Sequence, residues 1–237
     1  MPSEQPILLI PAREDSERDA VAAAWVGRGW PVQRLDRFWQ PPALDRRQVR
    51  VYGNELFCLT LAQKLRLGLV SPPDDLLGRV DACWLKRGLR AARLAEAAHL
   101  SYPLFVKPAT PKLFRAAVYP DHAALAAETR GLEPITAIIT AEPVTFAAEA
   151  RCLVLRRGVV SVAVYEGSAS PDVARDFAQA FVSANALPIT CALDVGLIRG
   201  RGWAVIEANP VWGAGLNGCS PEAMVDCLLV ATIPPAS

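Results

Sequence analysis

Residues 193–216 read LDVGLIRGRGWAVIEANPVWGAGL, and the fold turns on them. TCALDVGLI (190–198) and WAVIEAN (203–209) are apolar runs that flank Arg-Gly-Arg-Gly, the pattern of a β-hairpin. If the turn is centred on Gly200-Arg201, facing positions sum to 401 and Asp194 lies opposite Glu207; loops of two or four residues give the same sum. Asn209, two residues beyond Glu207, points to the same face. Directly opposed side chains sit about 4.5–5.5 Å apart at Cβ, where two bare carboxylates repel. Asp194, Glu207 and Asn209 therefore invite a cation between them. Oxygen donors without His or Cys suit Mg²⁺, which keeps waters and takes phosphate oxygens from a substrate. A solvated polar face on an edge hairpin is the alternative, and the apolar neighbours Ala192, Val205 and Ile206 count against it.

Outward from this hairpin, ARCLVLR (150–156) and VVSVAVY (159–165) read as a second one, turning at Arg157-Gly158. Ser170 and Pro171 open a helix whose apolar face is Val173, Phe177, Phe181 and Ala184. Residues 221–231 form another short helix. Upstream, PITAIIT (134–140) is a β-branched strand, and Asp121 caps a helix over 121–130 that Gly131 closes. LFVKP after Pro103 is a strand, and WLKRGLRAARLAEAAH (84–99) has the Ala, Leu and Arg content of a helix. Pro72-Pro73 marks a boundary. Before it, strands at 6–11, 31–35 and 49–52 and helices at 14–28 and 54–67 suggest a small α/β unit. Leu56, Phe57, Leu59, Leu61 and Leu65 form the apolar face of the second helix. No glycine fingerprint sits at its strand-to-helix turns.

Composition narrows the class. With 237 residues the chain holds one large domain or two small ones, and a net charge of +1 gives no nucleic-acid footprint. No apolar run approaches the roughly 18 residues of a membrane span, and the N-terminus lacks a basic region, so a cytoplasmic location with no membrane partner is expected. Cys58, Cys83, Cys152, Cys191, Cys219 and Cys227 show no CxxC spacing and read as buried thiols. Trp203 and Trp212 read as packing residues.

Two cationic positions bear on the acidic hairpin. Lys107 interrupts the apolar strand LFVKP, either to snorkel to water or to meet an anion, and Lys112 follows five residues later. Glu149 and Arg151 share one face of the strand containing EAR, as an ion pair or as an anion site.

The stretch at 193–216 resembles the metal-binding end of ATP-grasp ligases: an Asp on one strand, a turn, Glu-x-Asn on the next, then a Gly-containing loop. The FVKP strand is similar to that family's ATP-contacting strand. A glycine-rich phosphate loop usually follows it; here ATPKLFRAAVY (109–119) stands instead. That departure, with Arg87 in WLKRGLR, resembles the short R-two-K clade. The resemblance covers about residues 70–230. It implies an α+β ATP-grasp fold in which two lobes clasp ATP, preceded by a small α/β domain. The boundaries it implies are 1–70 for the N-terminal domain and 71–237 for the grasp, with a smaller lobe at 71–140 and a metal-binding lobe at 141–237.

By the same resemblance Asp194, Glu207 and Asn209 hold Mg²⁺ against ATP, and Lys107 and Lys112 contact phosphate. AEPV (141–144) is the hinge that reads adenine through Glu142 and Val144, and Glu149 also contacts the nucleotide. Arg87, Lys112 and Arg151 are the residues expected to act on phosphate or on the carboxylate substrate. The implied reaction joins a carboxylate to an amine or thiol through an acylphosphate, with small-molecule, peptide or protein substrates. A kinase of the same fold and a weakened nucleotide-binding module remain alternatives, and oligomeric state is open.

Overall fold

The computed structural model describes residues 5–110 and 113–234. The chain forms two compact units, one of 1–72, 148–195 and 206–237, the other of 73–147 and 196–205.

The chain begins with β1 (Ile7–Pro11), α1 (Ser16–Gly27), β2 (Val32–Leu35), β3 (Val49–Val51), α2 (Glu55–Leu65) and β4 (Gly68–Leu69). β1 lies between β2 and β3, parallel to both. Asp15 starts α1 by accepting the Arg18 N–H at 2.9 Å, and Asn54 starts α2 by accepting that of Phe57 at 3.0 Å. On α2 the buried face is Phe57, Cys58, Leu61, Ala62 and Leu65. Leu56 and Leu59, expected on that face, are exposed instead, because the stripe is a narrow i, i+4, i+8 seam.

The middle segment carries α3 (Leu76–Arg79), α4 (Ala82–Leu85), β5 (Leu89–Arg93), a 3₁₀ turn (Leu94–His99), β6 (Leu104–Pro108), β7 (Ala117–Tyr119), α5 (His122–Glu128) and β8 (Ala137–Ala141). Its sheet runs β5-β8-β6-β7, antiparallel throughout. The long helix expected over 84–99 is absent. Lys86 turns left-handed at φ 53° and ends α4, and Leu89–Arg93 instead pairs with β8 from Leu89↔Ala141 to Arg93↔Ala137. Strand pairing overrides the helix preference of Ala, Leu and Arg, since local propensity yields to tertiary context. Ala97, Val106, Phe114, Tyr119, Leu125 and Ile138 form the core here. Asp121 caps α5 as expected, accepting the Ala124 N–H at 2.8 Å.

The final segment carries β9 (Phe146–Leu155), β10 (Gly158–Gly167), α6 (Pro171–Ala184), β11 (Thr190–Ile198), β12 (Gly202–Asn209), α7 (Pro221–Ala231) and β13 (Thr232–Ile233), in a sheet of order β10-β9-β11-β12. The first hairpin turns at Arg156-Arg157, one residue before the expected Arg157-Gly158, with φ of 49° and 68° and Leu155↔Gly158 as the closing pair. Two positive φ values make this a type I′ turn. Bulges between Val159 and Ser161 and between Val164 and Glu166 shift the register by a residue each. The loop between β11 and β12 has three residues, closed by the Arg201 N–H on the Ile198 carbonyl at 3.0 Å. The even-loop pairing drawn from sequence therefore does not carry over. On α6 the buried stripe is Ala174, Ala178, Phe181 and Val182, whereas Val173 and Ala184 are exposed.

The N-terminal strands and helices share one core with the chain's end. Leu8, Val21, Trp25, Phe57 and Leu61 cluster with Leu153, Ala192, Val211, Met224, Val225 and Leu228. Polar bonds join the same parts: the Trp212 indole N–H donates to the Val70 carbonyl at 2.9 Å, and Arg50 Nε to that of Leu229 at 2.8 Å. The first 72 residues thus belong to a larger unit rather than standing alone. Five of the six cysteines are buried as expected; Cys83 is exposed. Both Trp203 and Trp212 are buried. No helix among the described residues is long and apolar enough to cross a membrane.

Candidate functional site

In the unit containing both termini, the acidic residues converge around Arg151. Arg151 lies on β9 and Asp194 on β11, neighbouring strands. Arg151 Nε donates to Asp194 Oδ1 at 2.8 Å and Nη2 to Oδ2 at 2.7 Å, a bidentate pair. Both residues are buried, at 8% and 3% exposure. The third guanidinium nitrogen donates to the Gly215 carbonyl at 2.8 Å.

Glu207 and Asn209 follow on β12, half-buried, and the Asn209 amide donates to Glu207 Oε1 at 2.8 Å. The β9–β10 hairpin adds Glu149, which accepts the Tyr165 hydroxyl at 2.7 Å. Tyr165 is the extra residue of the second bulge, so a local irregularity aims it at this carboxylate.

Burial pushes the Asp194 carboxyl upward; Arg151 opposes that push, and the charges of Glu207 and Glu149 add to it. Burial works against the charge on Arg151, but its bonds to Asp194 outweigh burial and hold the guanidinium more firmly protonated. The bidentate geometry keeps the pair ionised. Burial and the bond to Glu149 push the Tyr165 phenol well above its ordinary range, so it is a neutral donor. Glu149 and Glu207 both lie close enough to act on the Asp194 carboxylate, so three carboxylates gather about Arg151. Among the described residues no three His, Cys, Asp or Glu side chains form a metal cage. Glu207 and Asn209 present oxygens beside Asp194, whose own oxygens are engaged by Arg151. So few protein oxygens suit Mg²⁺, which completes its shell with water and phosphate, better than Ca²⁺ or Zn²⁺.

The other unit holds Arg87, Lys107, Glu142 and Val144. Arg87 is half-buried, its guanidinium 5.6 Å from the Phe146 ring centre. Its Nη1 donates to the carbonyls of Val205 at 2.8 Å and Leu85 at 3.0 Å. Burial lowers its affinity for the proton, and no carboxylate pairs with it among the described residues. Gly196 makes room for Phe146, whose ring fills the space a Cβ would need. Lys107 is half-buried on β6 opposite Ile139 of β8.

Glu142 and Val144 lie in the segment that joins β8 to β9. The exposed Glu142 carboxylate accepts from Arg201 at 2.7 and 3.1 Å and from the Gly88 N–H at 3.3 Å. That side chain therefore ties the hairpin loop to Gly88, a role the sequence did not reveal. Val144 is half-buried. Lys112 falls outside the described residues.

Sequence reasoning missed Tyr165, whose contact depends on a bulge, and Glu17 on α1. Glu17 accepts the N–H groups of Leu216 and Asn217 at 2.9 and 2.8 Å, from about 200 positions away. No short-range pattern signals either contact.

Comparison with known proteins bears on this arrangement. A family profile for the ATP-grasp domain, R-two-K clade family 2, matches residues 84–227. No curated protein matches the chain. Among solved structures, a RimK domain protein ATP-grasp from Sphaerobacter thermophilus is similar at 15% identity and TM-score 0.58, over 94% of this chain and 99% of that one. The ATP-grasp ligase PsnB, complexed with a minimal precursor, is similar at 14% identity and TM-score 0.57, over 96% of this chain and 99% of that one. An N5-carboxyaminoimidazole synthase from Aspergillus clavatus, in complex with ADP and a ribonucleotide, matches at 14% identity and TM-score 0.57, over 98% of this chain and 78% of that one. At such identities the likeness shows the α+β fold, while the profile spans more than half of the sequence: the chain belongs to the ATP-grasp domain family, in family 2 of the R-two-K clade.

Proposed function

We propose that this protein is an ATP-dependent ligase that activates a carboxylate as an acylphosphate and passes it to an amine or thiol. The observation that carries the reading is the gathering of Asp194, Glu207 and Asn209, oxygen donors with no His or Cys among them, about Arg151. Solved relatives of this fold include PsnB with precursor peptide and AMPPNP, and PsnB with Mg and ADP. For this chain, Mg²⁺ bound at Glu207, Asn209 and Asp194 would supply charge neutralisation of a triphosphate.

The chain's own residues would act by position and charge. Arg87 keeps a desolvated cation on the face of Phe146, spare for phosphate oxygens. Lys107 and Lys112 would add point charges, with Lys112 acting alongside Arg87 during transfer. Arg151 is fixed by Asp194 and Gly215, and its two remaining N–H donors would meet an anionic substrate group near the pair. Tyr165 holds one oxygen of Glu149, and the carboxylate so fixed would contact the nucleotide. The segment holding Glu142 and Val144 would read adenine through its backbone, since Arg201 engages the Glu142 side chain. The γ-phosphoryl group passes to a substrate carboxylate, the amine attacks the acyl carbon, and phosphate leaves with the C–O bond electrons.

Hydroxylamine trapping tests the reaction. Amino acids and short peptides incubated with the protein, Mg²⁺ and ATP should release ADP and yield hydroxamates only when ATP is present. ADP release with a phosphorylated acceptor that hydroxylamine leaves intact would make the protein a kinase. ATP binding without turnover of any acceptor would support a nucleotide-binding module.

A further inference from the structure

We propose that Glu17, on the N-terminal helix, is a positioning residue for the Arg151–Asp194 pair; this rests on the reading of that pair as part of the nucleotide-metal site. The contacts form one continuous chain. Both Glu17 carboxylate oxygens are used, Oε2 by the Leu216 N–H at 2.9 Å and Oε1 by the Asn217 N–H at 2.8 Å. These amides belong to the loop after β12, where two consecutive N–H groups meet one carboxylate. Next to them, the Gly215 carbonyl accepts from Arg151 Nη1 at 2.8 Å, and the other two Arg151 nitrogens hold Asp194.

Fixing the amides of residues 216 and 217 fixes the plane of the preceding peptides, and with it the direction of the Gly215 carbonyl. That carbonyl sets the rotation of a guanidinium whose remaining donors orient the Asp194 carboxylate. Gly215 itself is tailored to the contact, since a Cβ there would stand 2.5 Å from Glu17 Oε2. A side chain that orients a ligand through an intermediate partner tunes metal affinity without touching the metal. The N-terminal segment, which carries no family motif, thereby acquires a part in the site.

The test uses the full chain as wild type, Glu17→Ala, Glu17→Gln, Gly215→Ala and the control Val21→Ala, which thins the core on the same helix. Two quantities are read: the ¹⁵N–¹H signal and solvent exchange of Arg151 Nε, without nucleotide, and the Mg²⁺ concentration that half-saturates ATP binding. Glu17→Ala and Gly215→Ala should shift the Arg151 signal and speed its exchange, and raise the Mg²⁺ midpoint about 10-fold. Glu17→Gln, which keeps one acceptor oxygen, should fall between wild type and Glu17→Ala, and it carries the test if Glu17→Ala does not fold. Val21→Ala should lower the melting temperature with neither effect. An unchanged Arg151 signal in the Glu17 variants, or an equal change in Val21→Ala, would overturn the proposal. Wild type lacking Mg²⁺-dependent ATP binding would instead overturn the nucleotide reading of the site, and the Arg151 signal would still decide the role of Glu17.

Discussion

Arg151 and Asp194 illustrate how a buried charge is kept by a partner, not by its own burial. Removing the guanidinium leaves Asp194 without its partner at 3% exposure. Arg151→Ala should cost about 3–5 kcal/mol in urea unfolding. Arg151→Lys, which keeps charge but loses the fork, should cost less. Equal stability in Arg151→Ala and wild type would contradict the pairing. Glu142 gives a pH-dependent counterpart. Its bond from Arg201 holds its carboxyl below the ordinary value of 4.5. The folded form thus binds that proton more weakly than the unfolded chain. The contribution is present above about 4.5 and is lost as pH falls through the depressed value. The melting-temperature gap between wild type and Arg201→Ala should hold at neutral pH and close on acidification. At this scale the nearness of Asn209 to Glu207 was legible, because Glu-x-Asn places both on one face of a strand. The Arg151–Asp194 bond was not, because it joins two strands 43 positions apart.

At the scale of elements, the strands and helices of the last hundred residues were readable from alternation and capping residues. Their faces and registers were less so. Val173 and Leu56 lie beside the narrow buried seams of α6 and α2 and reach solvent, although their neighbours Ala174 and Phe57 are buried. The first hairpin turns one residue early because two arginines accept positive φ. Residues 84–99 mislead because Leu89–Arg93 finds a partner in β8 that local preference does not show. Gly196 on β11 gives a test of element packing. Gly196→Ala drives a methyl into the Phe146 ring, which also supports Arg87. It should lower stability by about 1–3 kcal/mol. ATP affinity should fall with it, both read in one thermal-shift titration. Full stability and affinity in that variant would contradict the placement of Phe146.

For the whole molecule, the sequence suggested a break at Pro72-Pro73, and one unit does begin there. What composition could not show is that Met224, Val225 and Leu228 pack with Val21, Trp25 and Phe57. A fragment starting at Pro73 should therefore expose that apolar face and lack a cooperative thermal transition; a cooperative transition would make the first 72 residues a separable domain. The proposed function requires a Mg²⁺-dependent ATP site at Asp194, Glu207 and Asn209. Calorimetry of ATP binding, with and without Mg²⁺, on wild type and Glu207→Gln tests it most directly. Wild type should bind ATP in a Mg²⁺-dependent manner, and Glu207→Gln, still folded, should bind at least about 10-fold more weakly. Binding that ignores both Mg²⁺ and the substitution, or folded wild type that binds no ATP, would contradict it.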